Sequence, residues 1–431
     1  MSAKKQLSRR DFIKLVGGST VAAAAGTFFP KGSQNPLLAV PHDYAPKAGD
    51  TLPGFVKELD QPYYVQDIVS QIARFDERAR AFSKASYVPG DGFYEPFYEL
   101  YPELKGQSET LAPYRDPAPK KAENAGISYT GYTFARVSFD PCGPLGSDEV
   151  VTPKVAEQQT PVEAEDMAIR VKEFCKAMGA YDVKIGPLDQ RWVYSHRGAN
   201  KNDTWGQPID FKHKTAISIA WPQDPKFMND LAGPGPNLEV GKAYTYMAAT
   251  SIMLADAIAA LGYPARAHHV RNYLLLQVPV AIDAGMGELG RMGIVVHPEI
   301  GPNPRLVTVT TDMPLAYDKP IEFGLQDFCA NCKICAEACP SGAISTGEKV
   351  ERNGVMVWDL DEVKCLTFWG TNGNSCGICQ VSCPWSKTGN WVHEAARYYA
   401  SSGGSAGTVM AGLDKVFYGD YLPGDHPEWL K

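Results

Sequence analysis

Beyond its first thirty residues the chain has no apolar run near the roughly 20 residues that a membrane-crossing helix needs. It also lacks any excess of positive charge. Its 42 Lys and Arg stand against 49 Asp and Glu, for a net charge of −7. That excludes the broad basic field by which proteins hold nucleic acid. Cysteine is scarce outside one region: of ten, only Cys142 and Cys175 lie outside positions 329 to 383. Cys175 sits on an apolar helix stripe and reads as core. Cys142 is alone in a Pro-Cys-Gly-Pro turn and has no assigned role. No disulfide framework is implied, because the other eight have a better explanation. The remaining composition, 44% hydrophobic and 21% charged over 431 residues, is ordinary for two or three globular domains.

The eight clustered cysteines form two runs. They are Cys329-x2-Cys332-x2-Cys335-x3-Cys339-Pro340 and Cys365-x10-Cys376-x2-Cys379-x3-Cys383-Pro384. The first is the bacterial ferredoxin spacing for a 4Fe–4S cluster. Closely spaced thiolates in a tight turn wrap one cube. The distant fourth cysteine, ahead of a proline, ligates the other cube. Cluster one is therefore assigned to Cys329, Cys332, Cys335 and Cys383. Cluster two takes Cys339, Cys365, Cys376 and Cys379. A structural zinc site would show paired Cys-x2-Cys halves instead.

The chain starts with a second signal. Lys4 and Lys5 precede Ser8-Arg9-Arg10-Asp11-Phe12-Ile13-Lys14, and a Gly/Ala-rich apolar stretch from Leu15 to Phe29 follows. This is the layout of a twin-arginine export signal. That route carries folded, cofactor-loaded proteins, which suits clusters assembled in the cytoplasm. Cleavage near Ala24-Ala25 or near Leu38-Ala39 fits equally.

Five segments are expected: the signal over 1–35, a loop-rich region over 36–150, a core over 151–320, the two-cluster module over 321–390 and a tail over 391–431. In the second, only Val65 to Ser83 reads as a helix. The aromatic run Phe93 to Tyr98 reads as packing over a core rather than a pocket wall. In the core, Thr160 with Pro161 and Glu163 reads as a helix start. An apolar stripe from Ala164 to Met178 follows, and Gly179 stops it. Strands are expected at Tyr181–Ile185, Thr215–Trp221, Ala265–Val270 and Arg305–Thr310, with a long helix over Gly241–Leu261. The fold class is α+β, with helices layered on a sheet.

Gly285-x-Gly287-x-x-Gly290 matches the dinucleotide fingerprint letter for letter. That fingerprint must open a helix. Here Gly293, three β-branched residues and Pro298 follow, which do not make one. Glycines at this density still let backbone approach a large ligand.

The order of signal, glycine-rich segment (Ala284 to Arg305) and two-cluster module resembles the corrinoid-dependent reductive dehalogenases of organohalide-respiring bacteria. The resemblance covers most of the chain, most weakly between Gln34 and Val150. It implies a nitroreductase-like core holding a cobalamin-like corrinoid. It also implies that Gly285, Gly287, Gly290 and Gly293, with Glu288, Leu289 and Arg291 between them, bind that corrinoid. It further places a tyrosine proton donor on a helix, an asparagine nearby and an arginine after the glycine-rich segment. Tyr246, Asn272 and Arg305 fit by type and order, with Tyr244 as the rival tyrosine. A free tyrosine has a pKa near 10, and an adjacent guanidinium makes its proton easier to give. The Asp-x-His-x-x-Gly motif that supplies a lower cobalt ligand elsewhere is missing. His268 and His269, adjacent on a strand, point to opposite faces. The corrinoid is therefore expected base-off.

The implied function is a respiratory terminal reductase that removes halide from an organohalide, fed through the two clusters by a quinol- or hydrogenase-linked donor. It implies docking on a small integral-membrane anchor at the outer face of the cytoplasmic membrane, with no nucleic acid partner. Two alternatives stay open: an epoxyqueuosine reductase-like corrinoid enzyme, and a non-catalytic two-cluster electron-transfer subunit.

Overall fold

The computed structural model describes residues 51–229, 234–373, 375–387, 391–419 and 428–430. The export-signal segment 1–35 lies outside them. No described helix is long and apolar enough to cross a membrane.

Four strands form the central sheet: β1 (Asp182–Pro187), β2 (Thr215–Pro222), β3 (Ala265–His268) and β4 (Pro304–Thr311). Their spatial order is β1-β2-β4-β3, and every neighbouring pair is antiparallel. The register sets Val183 opposite Ile219, Ile217 opposite Val309, and Ala267 opposite Val309. One face is thus aliphatic throughout. It packs on Val171 and Cys175 of a helix at Ala164–Ala177 and on Met247, Leu254 and Ile258 of a long helix at Pro234–Ala260.

The other face carries small residues because a helix lies close against it. Gln277–Asp283 packs Val280, Ala281 and Ile282 on Ala216 and Ala220. A Cβ on Gly186 would stand 2.8 Å from the Cα of Ala284. Helices on one sheet face and a short helix with loops on the other confirm the α+β class.

We label the helices used below α1 (Tyr129–Arg136), α2 (Ala164–Ala177), α3 (Pro234–Ala260), α4 (Gln277–Asp283), α5 (Leu325–Cys332), α6 (Glu362–Asn372), α7 (Ile378–Val381), α8 (Trp391–Ala400) and α9 (Ala406–Tyr418). The module contributes α5 to α7 and an antiparallel hairpin of β5 (Ile344–Arg352) and β6 (Val355–Leu360). The tail helices pack back on it, and Lys387 pairs with Asp414 at 2.6 Å.

Two sequence expectations change. Val65–Ser83 is not one helix. It comprises short 3-10 turns at Tyr63–Asp67 and Glu77–Ala79, then a helix at Ala81–Ser86. Arg74 explains the break. Its guanidinium donates to the carbonyls of Val193, Tyr194 and Ile209, which holds the segment extended. The helix α2 begins at Ala164 rather than beside Thr160. Thr160 is held elsewhere: its N–H donates to Leu261, and its carbonyl accepts from the Tyr263 hydroxyl. The aromatics Phe97 and Tyr98 pack with Tyr87 in a small cluster of their own, as the sequence suggested.

Ile217 is fully buried between β1 and β4, whereas Ile169 on α2 is 63% exposed. Ile217→Ala is expected to cost about 2–5 kcal/mol and to lower the thermal midpoint. Ile169→Ala should leave that midpoint in place.

Candidate active site

A cavity of about 700 Å³ lies where the module meets the core. The helix α3 presents Asn237, Val240 and Tyr244 to it. Their spacing of three and four residues is one helical stripe. The turn after β3 supplies Val270, Arg271 and Tyr273. The start of β4 supplies Pro304, Arg305 and Leu306. From the module, Trp369, Gly373, Ser375 and Gln380 close the remaining wall. Two hydrogen bonds lock that wall: Ser375 with Asn237 at 2.9 Å, and Gln380 to the carbonyl of Pro302 at 2.9 Å.

The lining is aromatic and basic. Arg80, Lys121, Arg136, Arg271 and Arg305 line the cavity, and among the described residues no Asp, Glu, His or Cys does. The Arg305 guanidinium lies over the Tyr244 ring, 5.6 Å from its centre. Burial pushes the Tyr114, Tyr132, Tyr194 and Tyr273 hydroxyls upward, so these four hold their protons tightly. Arg305 Nε and Gln380 Oε1 are buried without a hydrogen-bond partner. Such atoms in a roomy cavity are what an amide-fringed, largely apolar ligand satisfies.

Three expectations about this site need correction. Tyr246 is 55% exposed and stacks on Trp221 with the ring planes 2° apart, outside the cavity. Two residues along a helix turn a side chain through about 200°, so Tyr244, not Tyr246, faces Arg305. Asn272 is buried in structural bonding. It accepts from Arg266 at 2.5 Å and donates to the Gly146 carbonyl and to Asp148. Its neighbours Val270, Arg271 and Tyr273 reach the cavity instead. Arg305 lines the cavity.

The third correction concerns the glycine segment. Glu288–Leu289 pairs with Val295–Val296 in a two-stranded ribbon, so no helix follows Gly290. A Cβ on Gly285 would meet the Lys319 carbonyl at 2.1 Å, and one on Gly287 the Val296 carbonyl at 2.2 Å. Gly290 and Gly293 pack on Val296 and Leu360. Glu288 accepts from the N–H groups of Phe323 and Leu325, and burial pushes its carboxyl up to about 7. The Leu289 N–H donates to the Tyr63 hydroxyl, and Arg291 is buried among module carbonyls. These residues join core to module. From this stretch only Ile294 and Val295 line the cavity.

His268 and His269 are both engaged within the protein, with Thr310 and with the Leu145 carbonyl, and burial lowers both.

The eight module cysteines influence one another's ionisation both within and between the two expected sets. Cys383 interacts electrostatically with Cys332, Cys335 and Cys329. Cys365 interacts with Cys376 and Cys339. Cys379 interacts with Cys376, Cys365 and Cys339, and also with Cys335 across the gap between the sets. Lys333, at φ 58°, makes the left-handed turn between Cys332 and Cys335. Among the described residues no group is close enough to hold a single ion. Four thiolates around a cube stand further apart than the ligands of one ion. Burial pushes the Cys332 thiol up to about 12 and Cys335 and Cys376 to about 11. Such thiols ionise when iron replaces the proton. Cys376 and Cys379 alternate along the chain with cavity-lining Ser375 and Gln380, so the second set stands beside the cavity.

Comparison with known proteins accords with this arrangement. The 4Fe–4S dicluster domain family matches residues 328–387. The chain is 32% identical to tetrachloroethene reductive dehalogenase of Dehalobacter restrictus, covering 56% of this chain and 52% of that protein. It is 28% identical to the enzyme of that name from Sulfurospirillum multivorans, covering 95% of this chain and 90% of that protein. The solved structure of the catabolic reductive dehalogenase NpRdhA superposes with a TM-score of 0.67 at 24% identity, covering 84% of this chain and 48% of that one. The chain thus spans about half the length of the Dehalobacter protein and of NpRdhA. It has the reductive dehalogenase fold, its sequence relatives include reductive dehalogenases and, over 28% of the chain, an epoxyqueuosine reductase, and its module matches a 4Fe–4S dicluster domain.

Purified anaerobically, the protein should hold about eight irons. Cys383→Ser should deplete the cube of Cys329, Cys332 and Cys335, and Cys365→Ser the other. Iron analysis with electron paramagnetic resonance reads each loss separately.

Proposed function

We propose that this chain is a reductive dehalogenase, converting R–X, two electrons and a proton into R–H and halide. The observation that carries the proposal is the cavity between core and module, where Tyr244 and Arg305 face each other beside the second cysteine set. A pure electron carrier has no use for a cavity that sets a phenol against a guanidinium. The net charge of −7 and the acid-free but largely aromatic lining give no extended surface for a tRNA.

A corrinoid fits the residues present. The apolar walls at Val240, Ile294, Val295 and Leu306 suit a macrocycle, and Gln380, Asn237 and Ser375 suit its amide fringe. When bound, it supplies the low-valent cobalt chemistry that breaks a carbon–halogen bond. The proposal keeps the base-off form expected from the missing Asp-x-His-x-x-Gly motif. Cluster two, of Cys339, Cys365, Cys376 and Cys379, is the terminal relay, and cluster one is the entry point.

The protein's own part is the proton and the charge. Tyr244 donates the proton that completes R–H. Arg305, over its ring, balances the negative charge left on the phenolate oxygen. Arg80 and Arg271 add to a positive field in which a departing halide is stabilised.

The proposal extends to export by the twin-arginine route, peripheral attachment to a small membrane anchor at the outer face of the cytoplasmic membrane, and a quinol- or hydrogenase-linked donor. The Arg9-Arg10 pair carries it. Replacing both with lysine should leave cofactor-loaded precursor in the cytoplasm, read by cell fractionation. Normal external localisation would contradict it.

Tyr244→Phe keeps the ring and removes the hydroxyl. Turnover of a halogenated substrate should fall roughly 10²–10⁴-fold, with iron and cobalt content unchanged. Tyr246→Phe should remain close to the parent. Equal activity of the two variants would remove Tyr244 from the mechanism.

A further inference from the structure

Arg291 is among the largest fully buried side chains, 1% exposed, and the proposed chemistry does not use it. Its Nε donates to the Cys329 carbonyl at 3.0 Å, and its Nη1 to those of Ser345 and Gly347 at 2.8 Å. Its Nη2 reaches toward the Ala330 carbonyl at 3.5 Å. The guanidinium lies 4.1 Å from the centre of the Trp358 ring. None of these partners carries a negative charge.

An arginine stays ionised even when buried, and a buried charge without a counter-charge is costly. The carbonyls satisfy the N–H groups but do not cancel the charge. Glu288, the buried acid of the same segment, turns to the start of α5 and accepts from Phe323 and Leu325. The charge of Arg291 is instead felt by Cys329 and Cys335, whose thiolates it favours. Two of its carbonyl partners, Cys329 and Ala330, belong to the last turn of α5, the negative end of that helix.

We propose that Arg291 is the counter-ion of cluster one and raises that cluster's reduction potential. The inference rests on Cys329, Cys332, Cys335 and Cys383 holding one cube. Four thiolates make the cube an anion, and reduction adds one more negative charge. A fixed cation beside it therefore stabilises the reduced form more than the oxidised one. Arg291 also offsets the helix end that would otherwise disfavour the added electron. Its contacts to the Cys329 and Ala330 carbonyls place it against the helix that carries cluster-one ligands, so that cluster feels it most. An entry cluster tuned upward accepts electrons from a donor more readily.

The test is a redox titration of the anaerobically purified full chain, followed by electron paramagnetic resonance, with iron counted in each preparation. Arg291→Gln, retaining about eight irons, should shift one cluster to a more negative potential and leave the other unchanged. Arg291→Lys, which keeps the charge, should stay near the parent. Unchanged potentials in a fully loaded Arg291→Gln would overturn the proposal, as would equal shifts in both variants. If Arg291→Gln loses one cube, Arg291→Lys decides. Full iron with the parent potential supports the counter-ion role, and loss of the same cube shows that only the hydrogen-bonding fork matters. No step measures dehalogenation, so the proposal fails or stands separately from the enzymatic reading. Absence of cubes from the parent would show directly in its iron count.

Discussion

Docking of the cysteine module against one end of the core is the constraint on which the site depends. Neither part encloses the cavity alone. The core offers one helical stripe from α3 and the first residues of β4, and the module closes the opposite wall through Ser375 and Gln380. Because Ser375 bonds Asn237 and Gln380 bonds the Pro302 carbonyl, the wall that faces a ligand is also the wall that carries cluster-two cysteines. Under the proposed function, electron delivery and cavity closure therefore share one wall.

The glycine-rich segment serves that docking. Gly285 and Gly287 meet backbone carbonyls at distances no Cβ tolerates. Glu288 caps the start of the first cluster helix, and Arg291 holds that helix's end. A segment that resembles a ligand loop by composition is a clasp between domains. Both uses require backbone to come close to something, and composition does not say to what.

Much of the chemistry was legible because it is local along the chain. Cysteine spacing encodes which thiolates reach one cube, and the electrostatic pairing of Cys383 with Cys329, Cys332 and Cys335 follows that code. The strands read correctly for a similar reason. Three of them carry β-branched residues, and all four are buried on both faces, so short apolar runs mark them. Val65–Ser83 misled because its apolar spacing suits a helix, while Arg74 anchors it extended to carbonyls more than a hundred residues away.

The tyrosine proposed as proton donor shows where sequence and tertiary structure divide the work. Type and order along the chain confined the choice to Tyr244 or Tyr246 on one long helix. The stripe of Asn237, Val240 and Tyr244 already marked a face, but nothing in the sequence says which face of α3 meets solvent and which meets the module. Likewise Asn272 has the right type and place, yet Arg266, Gly146 and Asp148 consume its bonds. By itself the sequence determined the clusters, the layered α+β core and the candidate side chains, since these follow from spacing and periodicity. Only the tertiary structure decided which candidates share a cavity, because a cavity is made of side chains brought together by packing across domains, and packing has no signature at any one position.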